Sequence, residues 1–190
     1  MTSELGIIIP TQHESHIIKP SSSHAVLISG MGKVNSMIAA SKLIASGFDK
    51  ILLYGFCGGL RGLEPGDIIE PSEYIEGDFH AELLGHQYPN TIINEVHAPI
   101  NYRRVPMVTQ DRFLSEDIYE RTIMTPVLAC DMEAYAVAKL CLENSVTLYC
   151  VRVVSDCADT EAIGHFIKPS DSVLEKLSST FKELISCLTK

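Results

Sequence analysis

Short apolar runs, each cut off by glycine or proline, set the pattern of this chain. Leu5 to Ile9 is apolar apart from one glycine and stops at Pro10, so it reads as a buried first strand. Thr11, Gln12, His13 and Glu14 follow as a loop. His24 to Ser29 reads as a second strand and runs into Gly30-Met31-Gly32-Lys33. Val34 to Ser46 has helical spacing, and Gly47 stops it as a C′ glycine does. Lys50 to Tyr54 is a third strand, leading into Gly55-Phe56-Cys57-Gly58-Gly59-Leu60. Strand, glycine turn, helix, strand is a βαβ unit, which makes its two strands parallel neighbours.

The chain then changes character. Ile68 to Ile75 predicts a longer strand, and Glu76 to Tyr102 a polar, irregular excursion. Arg104 to Thr109 returns as a strand, and Gln110 to Tyr119 is a loop leading into a short helix. From Leu128 to Asp159 the pattern is strand end, helix, strand. The helix has Asp131 near its N-cap and stops at Asn144 and Ser145; Val146 to Val154 is β-branched and apolar. After Pro169 and Ser170, a last helix puts Val173, Leu174, Leu177, Phe181, Leu184, Ile185 and Leu188 on one face. The expected fold is α/β, a three-layer sandwich around a central mixed, mostly parallel sheet, in a single domain over residues 1–190.

Composition narrows the function. The chain is 46% hydrophobic and 21% charged, as a globular protein is, with a net charge of −9. It carries no basic stripe for phosphates, so a small molecule is expected as partner rather than nucleic acid. No apolar stretch approaches a bilayer span, so no membrane partner is expected. The run from Leu5 is too short for a signal peptide and no cation precedes it, so a cytoplasmic location is expected. None of the six cysteines forms a Cys-x-x-Cys pair, and His13 and His16 lack a third ligand. Reduced thiols, no metal and no organic cofactor are expected.

Ligands of such sheets bind beyond the carboxyl ends of the strands. Glu14, the Gly30 turn, the Gly55 loop, Phe113, Glu133 and Asp156 all follow expected strands directly, so three acids from distant segments would share one crevice. Singly, each has a plainer explanation. Glu133 suits a helix N-terminus, Asp156 a turn, Glu14 a solvated loop and Phe113 a core.

Together and in order, the segments resemble the nucleoside phosphorylase/nucleosidase superfamily, and within it the 5′-methylthioadenosine/S-adenosylhomocysteine nucleosidases. They are Gly6 to Glu14, Ser29 to Asn35, Gly55 to Leu60 with Pro65-Gly66-Asp67, Thr109 to Leu114, Asp131 to Ala134 and Val151 to Asp159. The last two, at their separation, are the most specific. The resemblance implies that Asp156 protonates or hydrogen-bonds N7 of a purine, with Ser155 beside it. It implies that Glu133 accepts the ribose 2′- and 3′-hydroxyls, with Met132 under the sugar and Arg152 orienting the acids. Glu14 would orient the attacking water, Phe113 would stack on the purine, the Leu114 backbone would read its edge, and Met31 would border the substrate. A homodimer is implied by the same resemblance. Three departures stand out: Phe56 in place of a small or hydroxyl residue, Asp131 in place of Glu, and a short 76–102 region. Phosphorylases of the superfamily hold phosphate with arginines, one of them near the third strand, where Leu52-Leu53-Tyr54-Gly55 has none. Water is therefore the expected nucleophile, with a phosphate-dependent phosphorylase or a non-catalytic purine binder as alternatives. Phe56 and the short middle tilt the expected substrate towards 6-amino-6-deoxyfutalosine, an intermediate of menaquinone biosynthesis, over 5′-thioadenosines.

Overall fold

A computed structural model describes residues 5–21, 24–79, 84–85, 90–115 and 127–189. Among the described residues the strands are β1 (Leu5–Ile9), β2 (Ala25–Ile28), β3 (Lys50–Gly59), β4 (Ile68–Glu76), β5 (Asn90–Ile93), β6 (Arg103–Thr109), β7 (Ala129–Asp131) and β8 (Thr147–Asp156). The helices are α1 (Gln12–Ile18), α2 (Lys33–Ala45), α3 (Ala134–Glu143), α4 (Ala162–Ile167) and α5 (Asp171–Leu188). The short helix expected at the end of the 110–119 loop lies outside the described residues.

All strands belong to one mixed sheet. β1 pairs in parallel with β2 on one side and β3 on the other, as the βαβ pattern requires. The expected α/β class holds, but the sheet is not the open middle layer of a sandwich. Strands β3, β8, β4, β6 and β7 close a five-stranded ring, with β1 and β2 as a wing on β3. The cause is length and direction. β3 and β8 each run ten residues, and the far end of each meets an antiparallel neighbour, β7 for β3 and β4 for β8.

Period-two alternation divides the core. Ile8, Ile51 and Leu53 pack with Ala39, Ala40 and Leu43 of α2 and with Ala134, Val137 and Ala138 of α3. Ile7, Ile9, Leu52 and Tyr54 point the other way, against Val173, Leu177, Phe181 and Leu184 of α5. Each such Ile or Leu contributes roughly 1.5–3 kcal/mol by leaving water. Tyr54 stays buried because its hydroxyl donates to the Leu177 carbonyl at 2.8 Å.

Three local differences from the sequence reading position the site. The residues after Pro10 form helix α1, which starts on a capping box: Glu14 N donates to Thr11 Oγ1 at 3.2 Å, and Thr11 N donates to Glu14 Oε2 at 2.8 Å. The Gly55–Gly59 segment continues β3 instead of leaving it as a loop. The polar 76–102 stretch holds strand β5, antiparallel to β4. The register between β3 and β8 shifts at Cys57/Gly58, leaving Ser155 as an extra residue next to Asp156. Such a bulge re-aims the side chains at a strand end.

Among the described residues no helix is long and apolar enough to cross a membrane. The cysteines are free thiols, and Cys57, Cys130, Cys141 and Cys150 are buried.

Candidate active site

A cleft opens where β1, β3, β7 and β8 end. Its walls hold Glu14, Met31, Phe113, Leu114, Met132, Glu133, Ser155 and Asp156, eight of the nine residues expected from the sequence. The ninth, Arg152, lies behind the wall, fully buried, with its guanidinium on Glu133.

Glu14 occupies the third position of α1, where the helix N-terminus and the capping box favour a carboxylate. Its Oε1 accepts Phe56 N at 2.7 Å and its Oε2 accepts both Thr11 N at 2.8 Å and Thr11 Oγ1 at 2.6 Å. The carboxylate crosses directly over Gly55. A Cβ there would clash with Glu14 Oε1 and come within 3.0 Å of Pro10 Cδ, which accounts for the glycine. Burial raises the Glu14 carboxyl above its usual range, against the hydrogen bonds from Thr11 and Phe56 and the charge of Arg152.

Glu133 is the N-cap residue of α3, yet its side chain does not cap that helix. Asp131 does so instead: its Oδ2 accepts Ala134 N at 2.9 Å, and its Oδ1 accepts Thr109 Oγ1 at 2.6 Å. Glu133 is thereby left to face the cleft. Its Oε1 accepts Gly32 N at 3.0 Å, at the start of α2. Gly32 has φ +97°, and a Cβ on it would approach Asp111 Oδ1 to 3.0 Å, so glycine is required there. Arg152 Nη2 donates to Asp131 Oδ2 at 2.5 Å and to Glu133 Oε2 at 3.3 Å. One guanidinium thus serves two buried acids. Burial first, and the Asp131 charge second, push the Glu133 carboxyl up to about 7, with Arg152 and the Gly32 amide acting against them.

Asp156 ends β8 with both oxygens engaged. Ser155 Oγ donates to Oδ2 at 2.6 Å, and Ala158 N donates to Oδ1 at 2.9 Å. Burial raises its carboxyl too, opposed by these two donors. A group so placed holds a proton more readily than a surface aspartate, as an acid that must deliver one needs to do.

The apolar wall is a row of rings. Phe113 meets Phe166 edge-on, with centroids 5.6 Å apart, and Phe166 meets Phe56 in the same way at 6.3 Å. Such a wall is an apolar aromatic surface of the kind that planar, neutral heterocycles pack on. The sequence reading missed Thr11, Arg112, Cys57, Cys130 and Phe166 as cleft residues. The Thr11-x-x-Glu14 spacing was the available signal for the first; Phe166 sits on a six-residue helix with no periodic signature. Arg112 is the sole Lys or Arg among the described residues lining the cleft. Among the described residues, no group of three or more His, Cys, Asp and Glu side chains is arranged to hold a metal ion.

The fold and the site define a mixed α/β protein with an acid-rich cleft at its strand ends. Residues 17–186 match the family model of the phosphorylase superfamily. The chain belongs to that superfamily, the family of nucleoside phosphorylases and nucleosidases. It is 32% identical over 182 residues to the 5′-methylthioadenosine/S-adenosylhomocysteine nucleosidase of Staphylococcus carnosus, covering 80% of each chain. Its fold is similar to that of a futalosine hydrolase mutant of Helicobacter pylori, with TM-score 0.84 at 18% identity, covering 97% of this chain and 99% of that one. It is equally similar to a nucleosidase mutant of the same organism with 5′-methylthioadenosine in the active site, with TM-score 0.84 at 18% identity, covering 98% and 99%.

Proposed function

We propose that this chain is an N-glycosyl hydrolase that releases adenine from a 5′-substituted adenosine. The observation that carries this reading is the gathering of Glu14, Glu133 and Asp156, each at most 4% exposed, around one cleft with Phe113 on its wall. Membership of the superfamily and the name of the Staphylococcus carnosus relative support it.

The chemistry follows from the residue types. The N9–C1′ bond breaks, its electron pair leaves with the purine, and the ribose becomes oxocarbenium-like. Asp156 gives a proton to N7, so the purine departs neutral. Glu133 accepts the 2′- and 3′-hydroxyls, and its charge stabilises the cationic sugar. Glu14 accepts a proton from the water whose oxygen adds to C1′, as the second carboxylate does in glycoside hydrolysis. Phe113 stacks on the purine, the Leu114 backbone reads its edge, and Met31 and Met132 border the sugar. Arg152 holds Glu133 and Asp131 in place from behind.

Water is preferred to phosphate as nucleophile because the cleft is anionic. A phosphate would meet the Glu14 and Glu133 carboxylates, with Arg112 alone as a cleft-lining cation among the described residues. For the 5′ group, the relatives' names favour a thioadenosine. The expected tilt towards 6-amino-6-deoxyfutalosine is left with the short 76–102 region and with Phe56, whose ring lines the cleft against Phe166. We place the thioadenosines first; side-by-side turnover of the two substrates decides, and a clear preference for the futalosine reverses the order.

The exposed row Met31, Val34, Met37 and Ile38, 40–68% accessible, is the surface we assign to contact with a second copy. Light scattering that gives a monomer at micromolar concentration would remove that assignment. The activity itself is tested by adenine release from 5′-methylthioadenosine without phosphate; binding with no turnover would leave only a purine-binding protein.

A further inference from the structure

Thr11 makes a contact that neither its helix-capping role nor the acid set of the cleft explains. It lines the cleft, and its hydroxyl does two things at once: Oγ1 accepts Glu14 N at 3.2 Å and donates to Glu14 Oε2 at 2.6 Å. With Thr11 N and Phe56 N, this gives the Glu14 carboxylate three donors. A carboxylate has about four acceptor positions, so one is left for a water. Capping needs only the acceptor half of the hydroxyl, which Asp or Asn would supply equally well. Donating and accepting through one atom is specific to Ser or Thr among the preferred caps, and the donated bond falls on the oxygen opposite to the one held by the β3 amide.

We propose that Thr11 is a positioning residue for the water-activating step: its hydroxyl fixes the Glu14 carboxylate in one orientation and keeps it ionised, so that it can take the proton of the attacking water. This rests on the reading of Glu14 as base. The other groups facing Glu14 do not replace it. From β8, Arg152 favours the anion but is already shared by Asp131 and Glu133. From the start of α3, Glu133 opposes it, and from β3 the Tyr54 phenol lies near and adds no positive charge. The Thr11 side chain is the largest influence that opposes burial at this carboxyl.

The test is the pH profile of kcat for adenine release by wild type, Thr11→Ser, Thr11→Val and Thr11→Asp. The quantity followed is kcat, which reports the complex: there the two ribose hydroxyls that the proposed function places on Glu133 favour its ionised form, so that the acid limb follows Glu14. Thr11→Ser should leave the limb in place. Thr11→Val should move it up by about one pH unit, the size expected for losing one hydrogen bond to a charged group. Thr11→Asp keeps the capping acceptor, loses the donor and adds a second carboxylate, so its limb should move at least as far. Limbs that coincide in all four proteins, with only thermal stability changed, would overturn the proposal and leave Thr11 a helix cap. If Thr11→Val fails to fold, the Ser and Asp variants still decide. Absence of adenine release from wild type would instead sink the nucleosidase reading, a separate outcome.

Discussion

Glu133→Gln should make the folded protein more stable at pH 8 while costing it activity. Glu133 is 4% exposed, lies beside a second buried acid and shares one guanidinium with it. Its carboxyl is raised from 4.5 to about 7 by burial and by Asp131. Between those two values the folded protein holds a proton that the unfolded chain has released. The stability tied to that proton is complete below about pH 4.5 and is lost as pH rises to about 7. At ~1.4 kcal/mol per pH unit, the ionised residue costs the folded state about 3 kcal/mol at pH 8 relative to pH 4.5. Glutamine keeps an acceptor for Gly32 N and carries no charge. Urea denaturation of both proteins at pH 5 and pH 8 isolates the effect. The stability difference between variant and wild type should favour the variant by about 2–3 kcal/mol more at pH 8 than at pH 5. In the same variant kcat/KM should fall roughly 10- to 100-fold, since an amide oxygen replaces a carboxylate as acceptor for two hydroxyls. A stability difference independent of pH would refute the electrostatic reasoning, whatever happens to activity.

Three further outcomes are expected. Asp156→Asn can hydrogen-bond N7 but cannot deliver a proton, so adenine release should fall about 10²- to 10⁴-fold with the circular dichroism spectrum unchanged. Gly55→Ala drives a methyl group into Glu14 Oε1 and Pro10, so it should lower stability by roughly 1–3 kcal/mol and activity along with it; a fully active, equally stable protein would show that Glu14 does not need its present path over β3. Arg152→Leu leaves Asp131 and Glu133 buried without a counter-charge and should cost roughly 3–5 kcal/mol in urea denaturation at pH 8, with part of the loss recovered at pH 5 as Glu133 protonates.

The elements that could be read from the sequence are those whose local pattern and tertiary role agree. β1 is an apolar run and is buried on both faces; α5 has one apolar face and buries it. Helix α1 was hidden by the polar residues after Pro10, although Thr11 and Glu14 stand at capping-box spacing. The sequence pattern ends β3 at Tyr54, because Gly55, Gly58 and Gly59 look like a loop, whereas in the structure they continue the strand past the cleft. Ring closure was out of reach of any local pattern. It depends on the β3–β7 and β4–β8 pairings, each formed by two residue pairs far apart in sequence. The site was legible only as a set. Glu133 alone is an acid at a helix start, and that it accepts an amide 101 positions away is a fact of the fold. Phe166 carried no signal, because a ring on a short helix looks like any other apolar residue.

The activity proposed for this cleft is cleavage of the N-glycosidic bond of a 5′-substituted adenosine with water. Adenine release from 5′-methylthioadenosine, in phosphate-free buffer and again with added phosphate, tests it most directly. Release should run at the same rate in both, with a free ribosyl sugar as co-product, and should fall about 10²- to 10⁴-fold in Asp156→Asn. Release that requires phosphate, with a ribose 1-phosphate as product, or no release from any 5′-substituted adenosine, would contradict it.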